Sequence, residues 1–89
     1  MGTALIKLRI MPSSPQTNLE EIKEKGKEKI SELGGEVRYE EEPIAFGLKA
    51  IIAFVKIDES KGSDPVEESF NSIDNVNSVE IIDYRRAIE

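Results

Sequence analysis

The hydrophobic and polar positions of this chain change their period several times, and each change predicts a different element. Residues 3–11 alternate, with apolar side chains at every second position and charged ones such as Lys7 and Arg9 between them. A period of two is typical of a strand that buries one face. The prolines and serines of residues 12–15 end this predicted strand.

Residues 17–33 have the spacing of a helix, with Thr17 as its expected N-cap and Glu20 placed to reach back to the cap. A narrow apolar stripe on this charged helix consists of Leu19, Ile22, Ile30 and Leu33. Gly26 lies on the same stripe, where glycine costs about 1 kcal/mol relative to alanine, so we expect the helix to approach the sheet closely there. Gly34, the first of two glycines, predicts the left-handed end of the helix.

Two strands follow this helix. Residues 36–42 alternate but are polar, which predicts an edge strand with Val37 and Tyr39 facing the core. Residues 48–57 are almost all apolar or β-branched, which is typical of the most buried strand of a sheet. The third strand is therefore expected to be central.

A second helix and a last strand complete the pattern. Asp64 is the expected cap of the helix, with Pro65 at its first position. The predicted buried face of this helix consists of Val66, Phe70 and Ile73. Residues 76–86 read as the last strand, with Val79 and Ile81 placed for the core.

The element order strand, helix, strand, strand, helix, strand predicts an α+β ferredoxin-like fold, a split βαβ sandwich. In this fold two helices pack on one face of a four-stranded antiparallel sheet. Right-handed crossovers place the first and third strands in the middle. With only 89 residues, the chain is expected to form a single domain, residues 1–89.

The composition excludes several functions. Cysteine and histidine are absent, which removes disulfides, thiolate nucleophiles, the usual zinc ligands and the commonest general base. We expect no cofactor, no metal and no covalent chemistry.

The net charge of −6 disfavours binding to nucleic acids and to anionic lipids. There is no apolar run of the ~20 residues that cross a bilayer, nor a secretory signal, so we expect a cytoplasmic protein. We also expect the protein to be a monomer when free.

Two charged clusters have ordinary explanations. Residues 20–29 mix both signs at helical spacing, as on a solvated helix face. Residues 40–42 are three consecutive glutamates, but neighbouring strand residues point to opposite faces and do not converge on one cation. These carboxylates are better explained as protection of a sheet edge.

Residues 43–47 form an apolar loop after a charged strand, which is unusual because loops run over the surface. One interpretation is that Ile44 and Phe46 fold back to close the end of the core, with Gly47 in a left-handed turn. The other is that Phe46 projects as an anchor for a partner's pocket. The residues alone leave both open.

The end of the last strand is the second unusual feature. Tyr84 is followed by Arg85 and Arg86 in an otherwise acidic chain. Surface arginines are generally solvated charges. Their functional interpretation is contact with carboxylates or phosphates near the active site of a partner.

Three stretches together resemble the archaeal translation elongation factor 1-beta family: residues 41–50 (EEPIAFGLKA), 10–12 (IMP) and 79–86 (VEIIDYRR). The run from Pro43 to Leu48 is the specific part, and the similarity extends over the whole chain in length and element order. The chain is also similar to the C-terminal exchange domain of the eukaryotic elongation factor 1-beta subunit.

The resemblance implies a guanine-nucleotide exchange factor whose partner is the GTPase elongation factor 1-alpha. It implies that Phe46 contacts the GTPase, with Pro43, Ile44 and Gly47 shaping the loop. The eukaryotic domain ends with a lysine that enters the magnesium site, whereas this chain ends in RRAIE. That Arg85 or Arg86 replaces the lysine, beside Tyr84, is a hypothesis.

Two other functions are compatible with this fold. A small-molecule regulatory or enzymatic module is one, but no glycine-rich phosphate loop is present. RNA binding through the sheet is the other, and it requires exposed aromatic residues on the central strands and a basic face. We expect neither feature, and Phe54 is the only aromatic residue on those strands.

Overall fold

The computed structural model describes residues 2–87 and confirms the predicted order of elements. The strands and helices are β1 Thr3–Pro12, α1 Leu19–Glu32, β2 Glu36–Pro43, β3 Lys49–Asp58, α2 Asp64–Asn71 and β4 Val76–Ala87. Single turns of 3-10 helix lie at Ala45–Gly47 and Glu59–Lys61. In this part of the chain, neither helix is long and apolar enough to cross a membrane.

The strands form one antiparallel sheet in the order β2-β3-β1-β4. This order confirms the ferredoxin-like fold, the central position of β1 and β3, and the edge position of β2. Strand β3 runs beside β1 from the pair Ile10 with Ile51 to the pair Thr3 with Asp58. The register therefore fixes which loops share an end of the sheet.

The core lies between the helices and one face of the sheet. From the two central strands it takes Ala4, Ile6, Leu8, Ile10, Ile51, Ala53, Val55 and Ile57. From the helices and the turn after α2 it takes Ile22, Ile30, Val66, Phe70 and Ile73. The alternation predicted in residues 3–11 is confirmed. Each large aliphatic side chain buried in this way contributes about 1.5–3 kcal/mol.

Gly26 marks a close approach, as predicted, although the contact is with α2 as well as with the sheet. A Cβ atom at Gly26 would overlap the ring of Phe70 and lie 2.5 Å from the hydroxyl of Tyr39. That hydroxyl donates a hydrogen bond of 2.9 Å to the Lys23 carbonyl, and burial raises the pKa of Tyr39. The absence of a side chain at Gly26 therefore lets α1 settle against both Tyr39 and Phe70.

Both predicted N-caps were wrong by one position. Asn18 caps α1, since its Oδ1 accepts hydrogen bonds from the backbone N–H groups of residues 20 and 21. The Thr17 hydroxyl instead accepts a 3.3 Å bond from the backbone N–H of Ser14 in the preceding turn. At α2 the cap position belongs to Ser63, without a side-chain hydrogen bond, and Asp64 is already helical.

The end of α1 follows the prediction. Gly34 has a φ of 82°, in the left-handed region. The N–H of Gly35 donates to the Ile30 carbonyl at 2.9 Å, which satisfies a carbonyl left free at the last turn.

Candidate partner-binding surface

A tight loop joins β2 to β3 at one end of the sheet. Pro43 faces Lys49 as the last cross-strand pair. Between them the N–H of Ile44 donates to the Leu48 carbonyl at 2.7 Å, and the N–H of Leu48 donates to the Ala45 carbonyl at 3.3 Å. We refer to residues 44–48 as the Phe46 loop. Its two internal hydrogen bonds hold the loop in a defined shape on the two strands.

The backbone at Phe46 is strained. Its φ and ψ are 62° and 31°, a left-handed conformation, and Gly47 follows with a φ of 77°. Left-handed geometry costs a residue with a Cβ roughly 1–2 kcal/mol, whereas glycine adopts it without that penalty. The left-handed turn expected at Gly47 is thus present, and it begins one residue earlier. Strain of this kind is concentrated at functional sites.

The exposure of Phe46 contradicts one of the two interpretations of the loop. Its side chain is 94% exposed, and Ile44 is 36% exposed. The interpretation in which Phe46 closes the end of the core is therefore wrong. A ring held in water by a strained, hydrogen-bonded loop contributes nothing to the core and is free to enter a pocket on another molecule.

A small recess of about 190 Å³ lies beside the Phe46 loop. Its lining includes Gly47 and Lys49, Pro12 at the end of β1 and Pro15 of the β1–α1 loop. The sequence analysis did not predict Lys49 or Pro15 as site residues. The two residues are far apart in the sequence, and the register of β1 with β3 brings their loops to the same end of the sheet. The sequence alone therefore gives no sign that they lie together.

A charged pair joins α1 to β2 next to this recess. Lys23 Nζ lies 2.7 Å from Glu41 Oε2, and Lys49 Nζ lies 3.9 Å from the other oxygen of the same carboxylate. The hydrogen bond from Lys23 lowers the pKa of Glu41 below its usual 4.5, and the same bond raises the pKa of Lys23 above 10.5. The pair links α1 to the last residues of β2, after which the Phe46 loop begins.

The three consecutive glutamates of β2 point to alternate faces, as predicted. Glu41 faces α1, whereas Glu42 lies on the opposite face and pairs with Arg9 at 3.5 Å. Within residues 2–87 there is no group of three or more carboxylates, histidines or cysteines placed to hold a metal ion.

The C-terminal candidates lie on β4 and pair with β1. Tyr84, Arg85 and Arg86 stand opposite Ile6, Leu5 and Ala4. Tyr84 is 41% exposed, and both arginine side chains are largely exposed.

Each arginine has an acidic neighbour. Arg85 Nε donates to Asp83 Oδ2 at 2.9 Å, and Arg86 Nε lies 3.5 Å from Glu59 Oε2. Because the two residues are adjacent in a strand, they project to opposite faces of the sheet.

The structure does not bring the two sets of predicted residues together. Arg86 faces Ala4, which faces Ile57 near the end of β3, whereas the Phe46 loop precedes Lys49 at the start of the same strand. Eight residue steps of about 3.3 Å separate Lys49 from Ile57, or about 26 Å. The candidate residues therefore form two groups at opposite ends of the sheet: one of Pro43, Ile44, Phe46 and Gly47, the other of Tyr84, Arg85 and Arg86.

Comparison with known proteins gives one consistent family. Residues 5–87 match the model of the EF-1 guanine nucleotide exchange domain. Elongation factor 1-beta of Methanosarcina barkeri is 43% identical over 90 residues, which cover 97% of this chain and 99% of that protein. The elongation factors 1-beta of Methanocaldococcus jannaschii and Methanococcus vannielii are 41% and 39% identical over 85 residues, covering 93% of this chain and 96% of each relative.

Proposed function

Because this chain belongs to the EF-1 guanine nucleotide exchange domain family, we propose that it promotes release of GDP from the GTPase elongation factor 1-alpha, so that GTP can enter. The relatives bear the name elongation factor 1-beta, which supports a role in translation elongation. Residues 1–89 act as one exchange domain, monomeric when free, in the cytoplasm.

The observation that carries this proposal is the conformation of Phe46. The ring is 94% exposed on a loop whose backbone is left-handed at two consecutive residues. Preorganisation of a projecting aromatic residue lowers the entropy lost on binding, which favours its use as an anchor. Phe46 is therefore the contact on which docking to the GTPase depends.

Exchange of this kind needs no covalent step by the factor. A bound guanine nucleotide is held largely by magnesium and by backbone groups around its phosphates. A partner that reshapes the loop beside the magnesium, or places a cation there, weakens the binding of the nucleotide to the GTPase. By linkage, the factor binds the empty GTPase more tightly than the loaded one, and entry of GTP releases the factor.

Arg85 and Arg86 are the candidate cations for this step. Both guanidinium groups are largely exposed, and a guanidinium contacts carboxylates or phosphates in a fixed geometry. Arg86 projects on the helix side near Glu59, whereas Arg85 projects on the opposite face beside Asp83. The two arginines are therefore distinguishable by separate substitution.

The experiment that tests the proposal is release of labelled GDP from elongation factor 1-alpha, with and without this protein. We expect the wild-type chain to accelerate release and Phe46→Ala to lose most of the acceleration while unfolding at the wild-type temperature. Phe46→Tyr, which keeps the ring, is the matched control and should retain activity. Unchanged release with Phe46→Ala would remove Phe46 from the contact, and no acceleration by the wild-type chain would refute the exchange function.

A further inference from the structure

One face of the sheet carries no helix, and its side chains form two cross-strand rows near the Arg85 end. The first row consists of Lys56, Leu5 and Arg85, and the second of Arg38, Phe54 and Lys7. We call these six residues the open-face patch. A shallow depression of about 470 Å³ lies over them.

An aromatic ring lies at the centre of this patch. Lys7 Nζ is 5.4 Å from the centroid of the Phe54 ring, and Arg38 Cζ is 5.9 Å from it. The two cations come from β1 and β2, the strands on either side of β3. Beside them Leu5 is 41% exposed. The patch thus combines an apolar floor with positive charges held over it.

The expectation that the sheet has no basic face was wrong, because the charge of this patch is opposite to that of the chain. Four of its six residues are basic, whereas acidic residues outnumber basic ones by 18 to 12 in the whole sequence. Two carboxylates border it, Glu36 and Asp83, and Asp83 pairs with Arg85. The other basic groups of the patch form no ion pair within residues 2–87; these are Lys7, Arg38 and Lys56.

The rest of this sheet face is acidic and internally paired. Arg9 lies 3.5 Å from Glu42 on one side and 3.3 Å from Glu80 on the other. The contact of Arg9 Nε with Glu42 is an ion pair without the geometry of a hydrogen bond. Positive charge that is not neutralised by neighbouring side chains is therefore concentrated at the Arg85 end of the face.

These features favour carboxylates of a protein over the phosphates of RNA. A nucleic acid bound to a sheet stacks its bases on exposed aromatic faces, but the Phe54 ring already has Lys7 and Arg38 over it. The net charge of −6 also repels a phosphate backbone at long range. A protein surface with a few carboxylates beside an apolar side chain matches both the charge and the floor of the patch.

We propose that the open-face patch is a second docking surface, which binds a carboxylate-bearing surface of the same GTPase. This inference rests on the proposed function. The patch includes Arg85, one of the candidate cations, so it extends the C-terminal contact across β1 and β3 to Arg38 on β2. Docking here aligns the domain along the GTPase while Phe46 engages it at the other end of the sheet.

The test compares two double variants that remove the same charge. Lys7→Gln with Lys56→Gln changes the patch, and Lys27→Gln with Lys29→Gln changes α1 on the other side of the molecule. Binding to nucleotide-free elongation factor 1-alpha is measured by titration calorimetry at low and high salt. We expect the patch variant to bind roughly three- to tenfold more weakly at low salt, with a smaller difference at high salt.

The control variant should bind like the wild-type chain, and Arg38→Gln should weaken binding as a single change. Wild-type binding with an unaffected patch variant, or with equal losses in both double variants, overturns the inference alone. Failure of the wild-type chain to bind overturns the proposed function and the inference with it. Binding of single-stranded RNA that is lost in the patch variant would also overturn it, because the patch would then serve phosphates.

Discussion

Phe46 and Arg86 lie at opposite ends of the same sheet, Phe46 next to the start of β3 and Arg86 in register with its end. The intervening part of β3 spans about 26 Å at about 3.3 Å per residue. A GTPase that contacts both must extend along the length of the domain, and contacts at one end do not share partners with those at the other.

This separation predicts additive effects on binding. Residues more than about 7–10 Å apart without shared partners have mutational free energies that add to within roughly 0.5 kcal/mol. We expect Phe46→Ala and Arg86→Gln to show this additivity in their affinity for nucleotide-free GTPase, measured in a double-mutant cycle. A coupling energy well above that range would mean that the two ends act through one contact.

Replacing Phe46 by glycine should stabilise the fold while it weakens exchange. Glycine relieves the left-handed strain, which costs roughly 1–2 kcal/mol. Glycine also gives the unfolded chain more conformational entropy, which lowers the stability of the fold by about 0.5–1 kcal/mol. Since the ring is 94% exposed, little burial is lost. Urea unfolding of Phe46→Gly should therefore show a gain of about 0.5 kcal/mol. A loss of stability would show that the ring supports the fold.

Gly26→Ala should destabilise the domain. The added methyl group would meet Phe70 and the Tyr39 hydroxyl, and overpacking of this kind costs roughly 1–3 kcal/mol. Better helix propensity offsets about 1 kcal/mol of this cost, so the net loss should be up to about 2 kcal/mol in chemical denaturation. Ser31→Ala, at an exposed position of the same helix, is the control and should be close to neutral. Equal stability of both variants would contradict the close approach.

The pair of Glu41 with Lys23 predicts a pH-dependent contribution to stability. The pKa of Glu41 is lower in the folded protein than its usual 4.5, so its stabilisation is present above that value and is lost as the pH falls through the folded value. Glu41→Gln should lower the free energy of unfolding by about 0.5 kcal/mol at neutral pH, as expected for a partly exposed pair. In strong acid the difference should vanish.

Thermal unfolding of Glu41→Gln across acidic and neutral pH measures this effect. Glu24→Gln removes a carboxylate without an ion pair in the described part of the chain, and so controls for net charge. A difference that persists at the lowest pH would point to lost packing rather than lost charge.

The role of Arg85 and Arg86 is better tested by substitution than by truncation of the chain. Removing residues 85–89 would delete the pairs that Arg85, Arg86 and Ala87 make with β1, and Ile88 and Glu89 lie outside the described residues. Arg85→Gln with Arg86→Gln keeps this backbone pairing. We expect the double substitution to lower the rate of GDP release more than the affinity for the GTPase. Equal losses in rate and affinity would argue against a cation acting at the magnesium.

Local structure could be predicted from the sequence because its causes are local. The alternation in residues 3–11 and the apolar run of residues 48–57 show which side chains are buried, and so they predict the two central strands. The caps were missed by one position. Thr17 and Asn18 are both good capping residues, and the choice depends on the Ser14 hydrogen bond that engages Thr17.

The sequence by itself determined the order of the elements, the central strands and the family resemblance, since periodicity and motif are properties of the chain alone. Tertiary structure alone decided that Phe46 is exposed, because that depends on a left-handed backbone at a residue whose type disfavours it. It also decided which distant residues meet. Lys7 and Arg38 lie over Phe54 only because antiparallel register aligns three strands, and register is set by the packing of the whole sheet.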